Sequence, residues 1–112
     1  MSNEEIRGIL LILTPIGTKE AEVKNIIRGK IRRSIERKVV YDNPKAMEFI
    51  KNDPDPSARN IELGDFDLDV ILARHGWAKH LFLMGYTVEA SWLFSKDGLL
   101  KNIRVSHLED GI

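Results

Sequence analysis

Residues 65 to 72 read DFDLDVIL, and the fold turns on them: Phe66, Leu68, Val70 and Leu72 alternate with Asp65, Asp67, Asp69 and Ile71. A period of two places successive side chains on opposite faces of a strand, so this is the pattern of a half-buried strand with carboxylates on its second face. Downstream, residues 80–84, 87–95 and 99–107 read as further strands, punctuated by Gly76, Gly85 and the pair Asp97-Gly98, a strong hairpin signal. In the strand at 87–95, Val88, Ala90, Trp92 and Phe94 share one face, while Thr87, Glu89, Ser91, Leu93 and Ser95 share the other. The carboxyl half, residues 65–107, is therefore expected to be an antiparallel meander.

Upstream of this strand lies NDPDPS, residues 52–57, dense in turn formers, with two prolines that cannot donate to a ladder. Before it, residues 36–62 form a variable connection in which Val39-Val40-Tyr41 suits a strand and residues 46–51 a short helix. The amino-terminal third is helical. Ser2 or Asn3 caps a first helix whose Glu4 and Glu5 suit its positive end, and Ile6, Ile9, Leu10 and Leu13 share a face. Pro15 and Gly17 stop it. Thr18 is the expected N-cap of a second helix, with Val23, Ile26, Ile27, Ile31 and Ile35 at helical spacing. The whole reads as one α+β domain, a helical hairpin over about residues 4–35 packed on a three- or four-stranded antiparallel β-meander.

Two of these stretches, PIGTKEAEV at 15–23 and VEASWLFSKDGLLKNIRV at 88–105, resemble the small two-helix-plus-meander proteins of the BamE (SmpA/OmlA) lipoprotein and beta-lactamase inhibitor protein type. Gly17, Thr18, Glu22 and Val23 match that group's helix start; Trp92, Phe94, Asp97, Gly98, Leu100 and Val105 match its aromatic strand, turn and final strand. The resemblance covers about residues 10–28 and 86–106. It implies a non-enzymatic scaffold that presents its sheet face or loops to another protein, with no catalytic residues or cofactor to carry over. Its lipobox cysteine has no counterpart in this chain.

With 112 residues, 43% of them apolar, one core is expected, and seventeen Lys plus Arg against seventeen Asp plus Glu leave no global field to steer the chain toward nucleic acid or an acidic membrane. Cysteine is missing, which removes disulfides and thiolate chemistry. As it stands the sequence shows no secretory signal and nothing near the roughly 18 apolar residues of a membrane span. The expected location is cytoplasmic; a periplasmic one would require a signal lost from a longer precursor.

Three constellations bear on function. Asp65, Asp67 and Asp69 lie within reach of one divalent ion on a shared face, the basis of a metal-dependent enzyme, although a solvated strand face is the simpler expectation and no metal site is assigned. RGKIRRSIERK, residues 28–38, carries six cations against one glutamate, and Arg32, Arg33 and Arg37 form a possible nucleic-acid patch. No aromatic residue interleaves it, and an internal electrostatic match or a solvated helix face is the alternative. His75, His80 and His107 show no spacing of a base or ligand set. The expected contact surface for another protein, or for a second copy of this one, is the outer sheet face with its rim: Trp77, Glu89, Ser91 and Leu93.

Overall fold

The computed structural model describes residues 2–74 and 85–110. Helix α1 spans Asn3–Leu13, α2 spans Glu20–Ile26 and continues as a π-helical turn Ile27–Ile31, and α3 spans Pro44–Lys51, with a 3-10 turn at Ala58–Asn60. Strands β1 (Ile35–Val40), β2 (Phe66–Arg74), β3 (Gly85–Phe94) and β4 (Leu100–Asp110) form one antiparallel sheet in the order β1-β2-β3-β4. The α+β class and the helical hairpin on an antiparallel sheet are as the sequence predicts. The strand expected at 80–84, together with His75, Gly76, Trp77 and His80, lies outside the described residues.

Ser2 accepts from the Glu5 amide and Glu5 reaches back to the Ser2 amide, closing a capping box on α1. The corner after α1 does more than reverse the chain. Gly17 holds φ at +92°, donates to the Leu100 carbonyl at 2.8 Å, and is followed by a bridge pairing Lys19 with Leu99. The Leu100 and Glu20 amides donate in turn to the Thr18 and Gly98 carbonyls. The hairpin of helices is thus stitched by backbone bonds to the β3–β4 turn. Thr18 is not the cap of α2; Lys19 holds that place, and the Thr18 hydroxyl donates back to the Pro15 carbonyl.

The inner sheet face carries the expected set. Val88, Ala90, Trp92 and Phe94 are buried with Phe66, Leu68, Val70, Leu100 and Ile103 against Leu10, Val23 and Ile27 of the helices. Phe66 and Phe94 stack at 5.0 Å. The Trp92 indole N–H donates to Thr14 Oγ1 at 3.0 Å, and the threonine hydroxyl donates to the Leu10 carbonyl at 2.7 Å, so the one polar edge of the ring is satisfied within an apolar cluster.

The second helix is shorter than its pattern suggests. It does not run to residue 35: the turn at Ile27–Ile31 widens, Arg32 takes a left-handed conformation with φ of 59°, and Ile35 begins β1. Ile35 still packs on the core, which is why its spacing reads as helical. The strand anticipated at 39–41 is accordingly longer and earlier, and it pairs with β2 as the sheet's first edge.

Candidate functional site

The outer sheet face is built by strand alternation. Arg37, Val39 and Tyr41 lie beside Asp69, Asp67 and Asp65; Ser91 pairs with Asp69 across β3; Arg104 pairs with Ser91 across β4. The three aspartates share the face, as their spacing requires, but they are not solvated: Asp65 and Asp67 are 2% exposed and Asp69 5%. Each has its own partners. Lys101 Nζ meets Asp65 at 2.7 Å, and the Glu62 amide donates to the same oxygen at 2.8 Å. The Tyr41 hydroxyl and the Arg104 guanidinium both donate to Asp67 Oδ2. Arg37 reaches Asp69 Oδ2 at 2.6 Å while the Ser91 hydroxyl donates to Oδ1 at 2.7 Å.

A buried charge is tolerated only when paired, and the neighbouring strands supply the pairing. The carboxylates therefore act as an ion-pair ladder rather than a shared ligand set, and among the described residues no three His, Asp or Glu side chains are grouped as a metal ion would need. Burial raises the Asp67 carboxyl above the ordinary aspartate range, with Tyr41 and Arg104 pulling it back in part. Burial and then the Asp67 carboxylate push the Tyr41 phenol up to about 12, so it remains a donor through neutral pH. Two buried polar atoms of the ladder, Asp67 Oδ1 and Arg104 Nε, have no hydrogen-bond partner among the described residues.

One end of this face is covered. Met47 of α3 and Ile61 pack on Leu93, with Tyr41 and Ile50 at the margin. Leu93 is fully buried there, which corrects its expected place on an open contact surface: the connection at 42–64 folds over it. The other end opens as a cleft of about 440 Å³ lined by Arg37, Tyr41, Asp69, Glu89, Ser91 and Arg104. Glu89 and Ser91 thus stand where the outer-face reading puts them, and Trp77 lies outside the described residues.

The basic segment is divided rather than gathered into one patch. Arg37 points to the outer face and Asp69; Lys38 sits over the Phe66 ring at 4.2 Å on the helix side, 3.4 Å from Glu20. Arg33 donates to the Leu72 carbonyl at 2.9 Å, and Arg28, Lys30 and Arg32 are exposed. Sequence reasoning misses Tyr41, Lys101 and Arg104 as members of the site. No local signal gives the last: the register of the β3–β4 hairpin shifts by one between Leu93 and Phe94, and that shift brings residue 104 opposite Ser91, with β3 between it and the aspartates of β2. No helix among the described residues is long and apolar enough to cross a membrane. Comparison with known proteins finds no matching family, curated protein or solved structure.

Proposed function

We propose that this chain is a protein-interaction module without catalytic function, and that its contact surface is the open end of the outer sheet face around Glu89, Ser91, Arg37 and Arg104. One observation carries the reading: among the described residues α3 covers the outer face only over Leu93, and the part they leave uncovered presents charges of both signs held on strands by the ladder beneath. The Arg37 side chain is 66% exposed although its guanidinium is fixed on Asp69. Charges fixed before contact lose little side-chain freedom on binding, and an alternating pattern selects a complementary partner and repels others. The resemblance of residues 10–28 and 86–106 to the BamE and beta-lactamase inhibitor protein type supports the same reading, because proteins of that group act by presenting a sheet face or loops. The partner is another protein or a second copy of this chain.

Affinity capture with the unmutated chain and with Glu89→Lys as parallel baits, alongside sedimentation velocity of both, tests the surface. The expected result is a captured protein, or a self-associated species, present with the first and absent with the second, at unchanged thermal stability. Identical capture and identical sedimentation for the two would remove this face from consideration.

A further inference from the structure

We infer that the free edge of β1 is a docking site for an acidic, extended segment of another protein, which adds to the sheet as a fifth strand. The two edges of the sheet are treated differently. Along β4, Arg7 of α1 donates from Nε to the Ile103 carbonyl at 2.8 Å and from its terminal nitrogen to Asn102 Oδ1 at 2.6 Å, so a helix side chain engages that edge at Ile103. Along β1 nothing comparable occurs among the described residues. The Tyr41 amide donates to the Asp65 carbonyl at 2.9 Å and the Tyr41 carbonyl accepts from Gly64 at 2.7 Å, so Tyr41 addresses β2 with both groups. In an antiparallel pair this alternates, so Val39 and Arg37 also face β2 while Lys38 and Val40 turn their N–H and C=O outward. Outside the sheet ladder, no hydrogen bond among the described residues reaches the backbone of Lys38 or Val40. An open row of such groups is a template for strand addition.

Charge selects the occupant. Residues 28–38 hold six cations and one glutamate. Arg37 and Lys38 are matched by Asp69 and Glu20, but Arg28, Lys30, Arg32 and Arg33 form no ion pair among the described residues. Arg33 lies against the Leu72 carbonyl of β2, continuing the line of the edge beyond β1. An incoming strand rich in aspartate or glutamate meets Arg33, on the line of the edge, and its neighbour Arg32 favourably, whereas a second copy would bring its own two arginines against them. A nucleic acid would use the charges but has no use for the outward amides and carbonyls. The site is separate from the outer-face cleft, and its test separates the two.

The probe is a short fluorescein-labelled peptide of alternating threonine and glutamate, followed by fluorescence anisotropy, with a lysine-for-glutamate peptide and a single-stranded DNA oligomer of equal charge as comparisons. The expected result is binding of the acidic peptide that weakens with added salt and is not shown by the lysine version. Val40→Pro removes an outward donor while sparing the β2 ladder, and is expected to weaken binding roughly three- to tenfold. Arg32→Asn, which keeps a residue tolerant of the left-handed conformation, is expected to weaken binding and flatten its salt dependence. Glu89→Lys is expected to leave peptide affinity unchanged; a loss there would move the site to the cleft and overturn the edge assignment. Equal affinity in folded Val40→Pro, DNA binding as tight as peptide binding, or a dimer of the chain alone that Val40→Pro dissolves would each overturn it as well. Should Val40→Pro fail to fold, amide exchange on the unmutated chain decides: slowed exchange at Lys38 and Val40 on adding the acidic peptide supports the proposal, and no change there sinks it.

Discussion

At Thr14 a single hydroxyl serves two masters: it accepts from the Trp92 indole and donates to the Leu10 carbonyl, and the residue is fully buried. Thr14→Val keeps the shape and strands the indole N–H, so the expected loss is about 1 to 3 kcal/mol, read from chemical denaturation. Gly17→Val has open space around its new side chain, and its cost comes from the backbone at φ of +92° alone, on the order of 1 to 3 kcal/mol. An unchanged melting temperature would mean the corner tolerates another path. Tyr41 supplies the pH test. Its phenol is held up to about 12 against an unfolded value near 10, so its contribution to stability is complete below pH 10 and disappears as pH rises through 10 to about 12. Difference melts of the wild-type chain and Tyr41→Phe should diverge below that window and converge above it, with a tyrosinate absorbance step near pH 12 missing from the variant.

Among the elements, β3 decides which face is which. Trp92→Ala is expected to cost about 3 to 5 kcal/mol, because the ring is fully enclosed by α1, α2 and the sheet. Leu93 points the other way and is just as buried, under α3, so Leu93→Ala should cost about 2 to 5 kcal/mol rather than acting on binding alone. Circular dichroism melts on both variants check this, and a well-tolerated Leu93→Ala would mean that α3 does not hold that face. The alternation at 66–72 and 88–94 was enough to place the core strands and their inward sets. The same alternation could not say what covers the other side, since Met47 and Ile61 come from a connection with no periodic signal of its own. Val39 and Val40 read as strand, but the start of β1 was hidden for a related reason: IERKVV is an edge segment with charged residues in the middle, and Ile35 keeps the four-residue spacing of Ile27 and Ile31 after the helix has ended. The break itself is made by Arg32 in a left-handed conformation, with no glycine or proline at that position to announce it.

Across the whole molecule the outer face is a set of buried carboxylates answered by cations from the two edge strands, Arg37 from β1 and Lys101 and Arg104 from β4. The aspartates were legible as a row, and their partners were not, because residues 37, 101 and 104 reach the row only through the sheet's long-range register. A divalent ion would have to displace those cations. Millimolar magnesium, manganese or calcium is therefore expected to leave the melting temperature unchanged; a site held at a hundred times its dissociation constant would add about 2.7 kcal/mol. A rise of several degrees abolished by Asp67→Asn would show that the row binds metal after all. The stitching of the helical corner to the β3–β4 turn has a further consequence, in time rather than in space. Gly17 and Thr18 bond to Leu100, and Val23 and Ile27 are buried against strands that follow them by some forty to eighty residues in the chain. During synthesis the two helices emerge with their apolar faces uncovered and wait for β3 and β4 before they can close, so the amino-terminal part cannot fold ahead of the rest. The interval between making residue 27 and making residue 103 is when the chain most needs shielding from its neighbours.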